Sequence, residues 1–298
     1  MGYAGTAYLR CLQAVGRFLP YGENVYDREW DVLVVLDACR PDALEAVAGN
    51  TDGASDVGFV DEVGRMRSVG SCSSEWMENT FDPATRRDAV AGTAMVTGNT
   101  WTDRYLDAGA FGALDEVWKY AWDEDLGTVP ADAITDRAIV TAREGDYDRL
   151  VVHYMQPHHP FVAEPLDGDS GMARTSQESS ERSPWVLLRR GDADPDRVWE
   201  AYLANLEYAL ASVATLLENV DGRVAITADH GNLFGEWGVY GHPMYTPVPA
   251  LLSVPWCETT ARDRGGREPT LTPPEPLPVS RVYDAESDRD RLDALGYV

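Results

Sequence analysis

Short apolar runs, each separated from the next by a stretch with helical spacing, set the strongest limit on how this chain folds. The strand candidates are DVLVVLD (31–37), RMRSV (65–69), GTAMVTG (92–98), RLVVHYM (149–155), RVAITAD (223–229) and VPALLSV (248–254). Several are continuously apolar, which is typical of strands buried on both faces. Helices are predicted at PDALEAVA, SSEWMENTF, ADAITDRAIVTAREG and DPDRVWEAYLANLEYALASVATLLENV. Strands alternating with helices predict an α/β fold with a mostly parallel sheet that is covered on both sides.

The length of 298 residues and a hydrophobic fraction of 44% allow a substantial core. We predict one domain over residues 1–298, with its core at about 30–256. Residues 162–194, rich in Ser, Asp, Gly and Arg, are expected to form either a lid or a mobile surface insertion. Residues 258–298 are expected to be a polar, Pro-rich tail that ends in a short helix around DRDRLDALGYV.

The charge is strongly one-sided. Fifty Asp and Glu stand against 25 Lys and Arg, the net charge is -25, and Lys119 is the single lysine. Repulsion within such an acidic surface is largely screened at about 1 M salt, where the Debye length is about 3 Å. We therefore predict a protein of a high-salt cytoplasm, as in haloarchaea. Nucleic-acid binding is disfavoured because the sequence lacks a clustered basic footprint.

The four cysteines form neither a C-x-x-C pair nor a zinc-ribbon pattern, which fits a reducing cytoplasm. No apolar run approaches the ~20 residues of a membrane span. The N-terminal MGYAGTAYLRCLQAVGRFLP lacks the charged region of a signal peptide. It predicts an amphipathic helix, with Tyr8, Leu12 and Val15 on one face, that packs on its own domain or touches a membrane surface peripherally.

All five histidines fall in two segments, VVHYMQPHHPF and TADHGNLFGEWGVYGHP. Histidine is the commonest neutral metal ligand and a frequent general acid or base, so this clustering predicts a single site. The alternative is five unrelated histidines. His153 lies inside the apolar strand VVHYM, and we interpret it as a hydrogen-bonded core histidine rather than a ligand.

Two strands end in a carboxylate. Asp37 ends DVLVVL and should emerge at the carboxyl edge of the sheet, although alone it fits a helix cap equally well. Asp229 also ends an apolar strand and is followed by His230. Two carboxylates and an imidazole together predict a site for one divalent cation, Zn, Mn, Mg or Ca, whose charge an anionic ester substrate would require. Arg40 either pairs with Asp37 or meets a substrate oxyanion.

The order VLDACRPDAL, SVGSCSSEW, HYMQPHHPF and ITADHGNLFGEWGVYGHP, leading to VPALLSVPW, resembles the alkaline phosphatase and sulfatase superfamily, especially archaeal sulfatase-like hydrolases. The resemblance spans roughly residues 30–256. It implies an alkaline phosphatase-like three-layer α/β/α sandwich with a mostly parallel central sheet and a metal-bound nucleophile. It also implies that the metal ligands are Asp37, Asp229 and His230.

The resemblance assigns roles to further histidines. His158 or His159 corresponds to the H-x-P histidine of the family, which contacts the substrate or a second metal, and His242 takes a similar part. Gln156 and Ala38 stand where many sulfatase-like relatives have Asp, and His230 stands where they have Asn. One metal, held by both aspartates, His230 and a serine, is therefore favoured, similar to the lipoteichoic-acid synthase branch. The alternative is a second metal at His158, His159 and His242.

The nucleophile implied by the family is a Ser, Thr or modified Cys at a helix N-terminus, about thirty to forty residues after the first Asp. Ser73 is the first choice, with Ser71, Ser74 and Cys72 behind it. The formylglycine pattern C-x-P/A-x-R is not met, since Ser74 and Trp76 occupy its last two positions. At least two of these serines are expected only to cap the SSEWMENTF helix.

Taken together, these residues predict a cytoplasmic, metal-dependent hydrolase or transferase of phosphate or sulfate esters that uses a serine nucleophile. The alternative is a catalytically inactive, metal-binding member of the fold that binds the anionic groups of glycans or lipids. A phosphomutase would need a cap domain, for which residues 162–194 are too short.

Overall fold

A seven-stranded sheet organises the computed structural model, which describes residues 3–19, 22–50, 57–167 and 183–275. The strands are β1 Val32–Leu36, β2 Gly64–Arg67, β3 Thr93–Thr97, β4 Ala113–Glu116, β5 Arg149–Tyr154, β6 Gly222–Thr227, β7 Leu233–Phe234, β8 Tyr240–Gly241 and β9 Ser253–Ala261. The α-helices are α1 Tyr3–Gly16, α2 Pro41–Ala48, α3 Ser73–Thr80, α4 Pro83–Ala91, α5 Thr102–Tyr105, α6 Ala131–Glu144, α7 Pro184–Arg190, α8 Pro195–Leu217 and α9 Pro249–Leu252.

The sheet order is β2-β9-β6-β1-β5-β3-β4. Strands β6, β1, β5, β3 and β4 are mutually parallel, whereas β9 is antiparallel to both β6 and β2. The strands β1 and β3 are buried along their whole length, as their continuously apolar sequences predict. The predicted mostly parallel central sheet is confirmed.

Helices cover both faces of the sheet. Neighbouring residues of a strand point to opposite faces. On β5, the Tyr154 hydroxyl lies 2.7 Å from Thr135 Oγ1 of α6, and the His153 ring packs edge-on against Trp76 of α3, with ring centroids 5.6 Å apart. Helix α6 packs with α8, and α8 with α2, on the Tyr154 face. The result is the predicted three-layer α/β/α arrangement.

The strand prediction for VPALLSV (248–254) is wrong in most of its length. Pro249 begins the short helix α9, because its fixed φ suits the first helical position. The strand β9 starts only at Ser253 and continues to Ala261. The short strand β4 was not predicted, because its sequence ALDE is only partly buried and carries two acids.

The N-terminal helix α1 packs on a small apolar cluster separate from the main core. Its Leu9 and Leu12 contact this cluster, which is formed by Leu233, Val239, Val248 and Leu251. Tyr8 and Val15, predicted to share the face of Leu12, are exposed to solvent instead. Among the described helices, none has the length and apolarity needed to cross a bilayer.

The predicted insertion is described at its two ends, residues 162–167 and 183–194. Its second end contains α7, whose Trp185 packs edge-on against Phe161 and Phe234. Residues 168–182 and the predicted helix at 288–298 lie outside the described residues.

Candidate active site

Two buried carboxylates meet at the carboxyl edge of the sheet. Asp37 follows β1 and Asp229 follows β6, and since these strands are parallel neighbours, their ends reach the same edge. Asp229 Oδ1 accepts hydrogen bonds from the backbone N–H of Ala38 (3.0 Å) and of His230 (2.9 Å). Within the described part of the chain, Asp37 Oδ1 and Asp229 Oδ2 are buried without a hydrogen-bond partner. Two such oxygen atoms fit the ligand set of a divalent cation.

The electrostatics of this pair favour a cation. Burial raises the pKa of Asp37 well above its usual value, and the neighbouring charge of Asp229 raises it further. Hydrogen bonds from Asn99 and Ser73 oppose the rise in the pKa of Asp37. A divalent cation between the two carboxylates would offset their repulsion.

His230 turns its Nε2 toward both carboxylates. The distances are 3.3 Å to Asp229 Oδ2 and 3.7 Å to Asp37 Oδ1. Its Nδ1 lies 2.7 Å from the carbonyl oxygen of Gly231 and donates to it. The lone pair is therefore on Nε2, the state needed for a metal ligand.

Ser73 is the first residue of α3, and its hydroxyl reaches the same point. Ser73 Oγ lies 3.4 Å from Asp37 Oδ2 and 3.3 Å from His230 Nε2. The predicted first choice among the four nucleophile candidates is thus the one that the fold brings beside both predicted ligands.

The other three candidates of this window face elsewhere. Ser71 Oγ donates to Glu75 Oε2 (2.8 Å) and thereby ties the turn before α3 to the helix. Ser74 Oγ lies 3.1 Å from Cys72 Sγ. Burial raises the pKa of the Cys72 thiol to about 12, so it stays protonated and is a poor nucleophile.

The structure places His153 differently from the interpretation made from its sequence. Each of Asp37, His153 and Asp229 offers a ligand atom, and these three atoms lie within 4.8 Å of one another. His153 Nε2 is 3.9 Å from an oxygen of each carboxylate. Among the described residues neither ring nitrogen has a hydrogen-bond partner, so His153 is not the hydrogen-bonded core histidine expected. Burial lowers the pKa of His153 to about 4, which keeps the ring neutral and fit for a cation.

Four side chains predicted to handle substrate or metal form what we call the imidazole row: His230, His242, His158 and His159. Ring centroids are 4.7 Å apart for His230 and His242, 5.0 Å for His242 and His158, and 4.6 Å for His158 and His159. The row runs from the carboxylates to Trp185 of α7, whose ring lies 6.2 Å from that of His159. The fold therefore gathers all five histidines around one site.

Residues that the sequence did not single out hold these groups in place. Asn99, just after β3, donates from Nδ2 to Asp37 Oδ2 at 2.8 Å. On α8, the Tyr202 hydroxyl donates to the carbonyl of Ala38 (2.7 Å) and accepts from the N–H of Arg40 (3.0 Å). Asn205, one turn further along α8, donates to the carbonyl of His158 at 3.0 Å. Asn99 shares a signal with Asp37, since both are polar residues at the end of a buried parallel strand.

Ala38 adopts a left-handed backbone conformation, with φ of 60°, which is uncommon for a residue other than glycine. This conformation turns its N–H toward Asp229 Oδ1. The strain is local to the site and is offset by the hydrogen bonds that hold the turn.

Arg40 does not pair with Asp37. Its guanidinium donates to both oxygens of Asp42, to Glu236 Oε1 and to the carbonyl of Asn232. With its donors engaged in this way, Arg40 fixes the loop after β6 rather than the carboxylate.

No protein-family model and no curated protein matches this chain. Solved structures do match. The soluble domain of lipooligosaccharide phosphoethanolamine transferase A from Neisseria meningitidis has a TM-score of 0.50 at 15% identity, with 78% of this chain and 76% of that chain covered. The fold is alkaline phosphatase-like. This confirms the fold class predicted from the sequence.

The integral membrane form of that Neisseria meningitidis transferase matches with a TM-score of 0.51 at 13% identity. The match covers 89% of this chain and 56% of that one, so this chain spans little more than half of its length. A protein of the alkaline phosphatase superfamily from Vibrio parahaemolyticus matches with a TM-score of 0.43 at 12% identity, covering 89% of this chain and 71% of that one. At these identities, an alkaline phosphatase-like fold is what the two proteins share with this chain.

Proposed function

We propose that this protein is a metal-dependent hydrolase or transferase of phosphate or sulfate esters, with Ser73 as its nucleophile. The observation that carries the proposal is the position of Ser73 Oγ, at the N-terminus of α3 and within 3.4 Å of both Asp37 and His230. A hydroxyl in contact with a carboxylate and an imidazole, beside buried oxygens without partners, is the arrangement that a metal-activated serine needs.

Asp37, Asp229, His230 and Ser73 would hold the cation, with His153 as a further ligand. When bound, a divalent cation supplies positive charge that lowers the pKa of the serine hydroxyl and offsets the negative charge of the ester. The donor set of carboxylate oxygens and imidazole nitrogens suits Zn or Mn best, and also admits Mg or Ca.

The chain itself orients the first half of the reaction. Ser73 Oγ attacks the phosphorus or sulfur atom, and the bond from that atom to the leaving oxygen breaks. The free N–H groups in the first turn of α3 point toward the anionic oxygens of the ester, where the helix dipole favours negative charge.

The second half needs an atom that accepts a proton. Burial lowers the pKa of both His158 and His242 well below the usual value, and the neighbouring imidazoles add to this effect. His242 Nδ1 is 3.1 Å from Asn232 Oδ1, and His158 Nδ1 faces the carbonyl of His159, so each ring carries its lone pair on Nε2. One of them takes the proton of the water or acceptor alcohol that releases the group from Ser73.

The test compares Ser73→Ala with Ser74→Ala on aryl phosphate, phosphodiester and sulfate esters, with each of the four metals. Because the net charge of -25 supports a high-salt cytoplasm as the setting, the assay contains about 1 M KCl. Phosphodiesters come first, since phosphoethanolamine transferases are among the similar structures. We expect Ser73→Ala to lower kcat by about a thousandfold or more and Ser74→Ala to change it only a few-fold.

Three outcomes would contradict the proposal. Equal activity of Ser73→Ala and the unaltered protein would remove the nucleophile, and retained activity of Asp229→Ala would remove the metal site. Metal binding by the unaltered protein without turnover of any ester would instead support the inactive, anion-binding alternative.

A further inference from the structure

Acidic residues are missing from two long segments of this strongly acidic chain, residues 1–22 and 237–257. The fold brings these two segments together. Leu9 and Leu12 of α1 pack against the apolar cluster that contains Val239, Val248 and Leu251. One face of a protein with a net charge of -25 is therefore built from acid-free sequence.

Further contacts fix α1 on the second segment. Gln13 Nε2 donates to the carbonyl of Met244 at 3.2 Å, and the Arg17 guanidinium lies 4.8 Å from the centre of the Tyr245 ring. Gly16 is buried, because a side chain there would collide with the Tyr245 carbonyl. The helix thus lies in one defined orientation.

The outward side of α1 is apolar as well. Tyr8 and Val15 are seven residues apart, so they lie on the same side of the helix, and Phe18 follows in the hydrogen-bonded turn after it. Phe18 is 85% exposed and Val15 is 54% exposed. Trp237, in the second segment, is 55% exposed. Large apolar side chains clustered in water mark an interaction surface.

We propose that this face docks on an anionic lipid surface. Val15, Phe18 and Leu19 would enter the boundary between headgroups and acyl chains, and Arg10 and Arg17 would lie against the headgroup phosphates. These two arginines are the only charged side chains in residues 1–22, so the helix complements an anionic surface.

A second copy of the chain fits this face less well. Pairing of α1 with itself across a two-fold axis would bring the same arginines of both copies together. A membrane has no such conflict. At about 1 M salt the repulsion between the acidic remainder of the protein and the lipid acts over only about 3 Å, whereas the burial of apolar side chains persists.

The test is flotation of the purified full chain with vesicles of pure phosphatidylglycerol or pure phosphatidylcholine, in about 1 M KCl. We expect binding to phosphatidylglycerol. The double variant Val15→Ser/Phe18→Ser should weaken this binding about tenfold or more, because it removes the inserting groups. Arg10→Glu should reduce the binding to the level seen with phosphatidylcholine.

The matched control is Tyr147→Ser, which removes an exposed aromatic ring from the loop before β5 and should leave flotation unchanged. Equal melting temperatures of the double variant and the unaltered protein would show that the fold is intact. Failure of the unaltered protein to float, or equal flotation of the double variant, would overturn the proposal. So would self-association that the double variant abolishes in the absence of any flotation, since the occupant would then be a second copy.

Discussion

The side-chain amide of Asn99 donates a hydrogen bond to Asp37 Oδ2 at 2.8 Å, inside the buried site. This contact leaves Oδ1 of the same carboxylate turned toward Asp229 and His230. Partners of this kind orient metal ligands, and their loss typically costs ten- to a hundredfold in metal affinity.

We therefore expect Asn99→Ala to weaken binding of Zn or Mn by about ten- to a hundredfold, measured by competition with a chelating indicator. Asn24→Ala is the control, because the Asn24 amide donates to the carbonyls of Asn79 and Thr80, away from the site. An unchanged affinity in Asn99→Ala would show that the carboxylate needs no such support.

Asp37→Asn should stabilise the metal-free protein while destroying its metal site. Burial and the charge of Asp229 raise the pKa of Asp37, so its ionised form costs free energy in the folded state. The cost is absent while Asp37 is protonated and grows as the pH rises from about 4 toward the raised pKa. With a chelator at about pH 8, we expect the variant to melt at least about 2 °C higher, and the difference to shrink as the pH falls.

Added metal should reverse that order, because only the unaltered protein gains stability by binding it. Asp42→Asn is the matched control, since Asp42 is exposed and paired with Arg40. If the melting temperatures of metal-free Asp37→Asn and of the unaltered protein coincide at every pH, the two carboxylates do not repel each other.

Asn205→Ala should disturb the imidazole row without emptying the metal site. The buried amide of Asn205 donates to the carbonyl of His158 and accepts from the N–H of Val162 at 2.9 Å. Losing it leaves buried backbone groups without partners, at a cost of about 1–3 kcal/mol in the free energy of unfolding. We expect a lower melting temperature and a lower kcat, with metal affinity within a few-fold of the unaltered protein.

Asn205→Asp separates the two halves of this contact. It keeps an acceptor for the Val162 N–H but removes the donor to His158. If Asn205→Asp retains full kcat, the link to His158 has no part in catalysis.

Salt should stabilise the fold. The net charge of -25 implies repulsion across the surface that added KCl screens as the Debye length falls from about 10 Å at 0.1 M to about 3 Å at 1 M. We expect the melting temperature to rise over this range. Equimolar sucrose, which does not screen charge, is the control, and an equal rise with sucrose would mean that screening is not the cause.

Much of the fold was predictable because burial leaves a clear trace in parallel strands. Runs such as VLVVL and TAMVT are apolar at every position, and the polar residue that ends each run marks the functional edge. The same rule gave Asp37 and Asp229 and would have given Asn99. The choice of Ser73 rested on its place at a helix start, where the structure also puts it.

The remainder depended on tertiary structure. His153 was misinterpreted because both faces of β5 are buried, so apolarity does not tell which face carries chemistry. Strand β9 was missed because it runs antiparallel and partly exposed, without a continuous apolar run. The contacts of Tyr202 and Asn205 join residues far apart in the chain, and no local pattern marks them.

Tyr202 and Asn205 stand three positions apart on one rigid rod, and each grips a different loop. The first fixes the bend that carries Asp37, and the second fixes the bend that carries His158. The separation between the acidic rim and the proton-accepting rings is thus measured out by a single helix. Because each added residue rotates a helix by about 100°, one insertion upstream in α8 would release both grips in the same stroke.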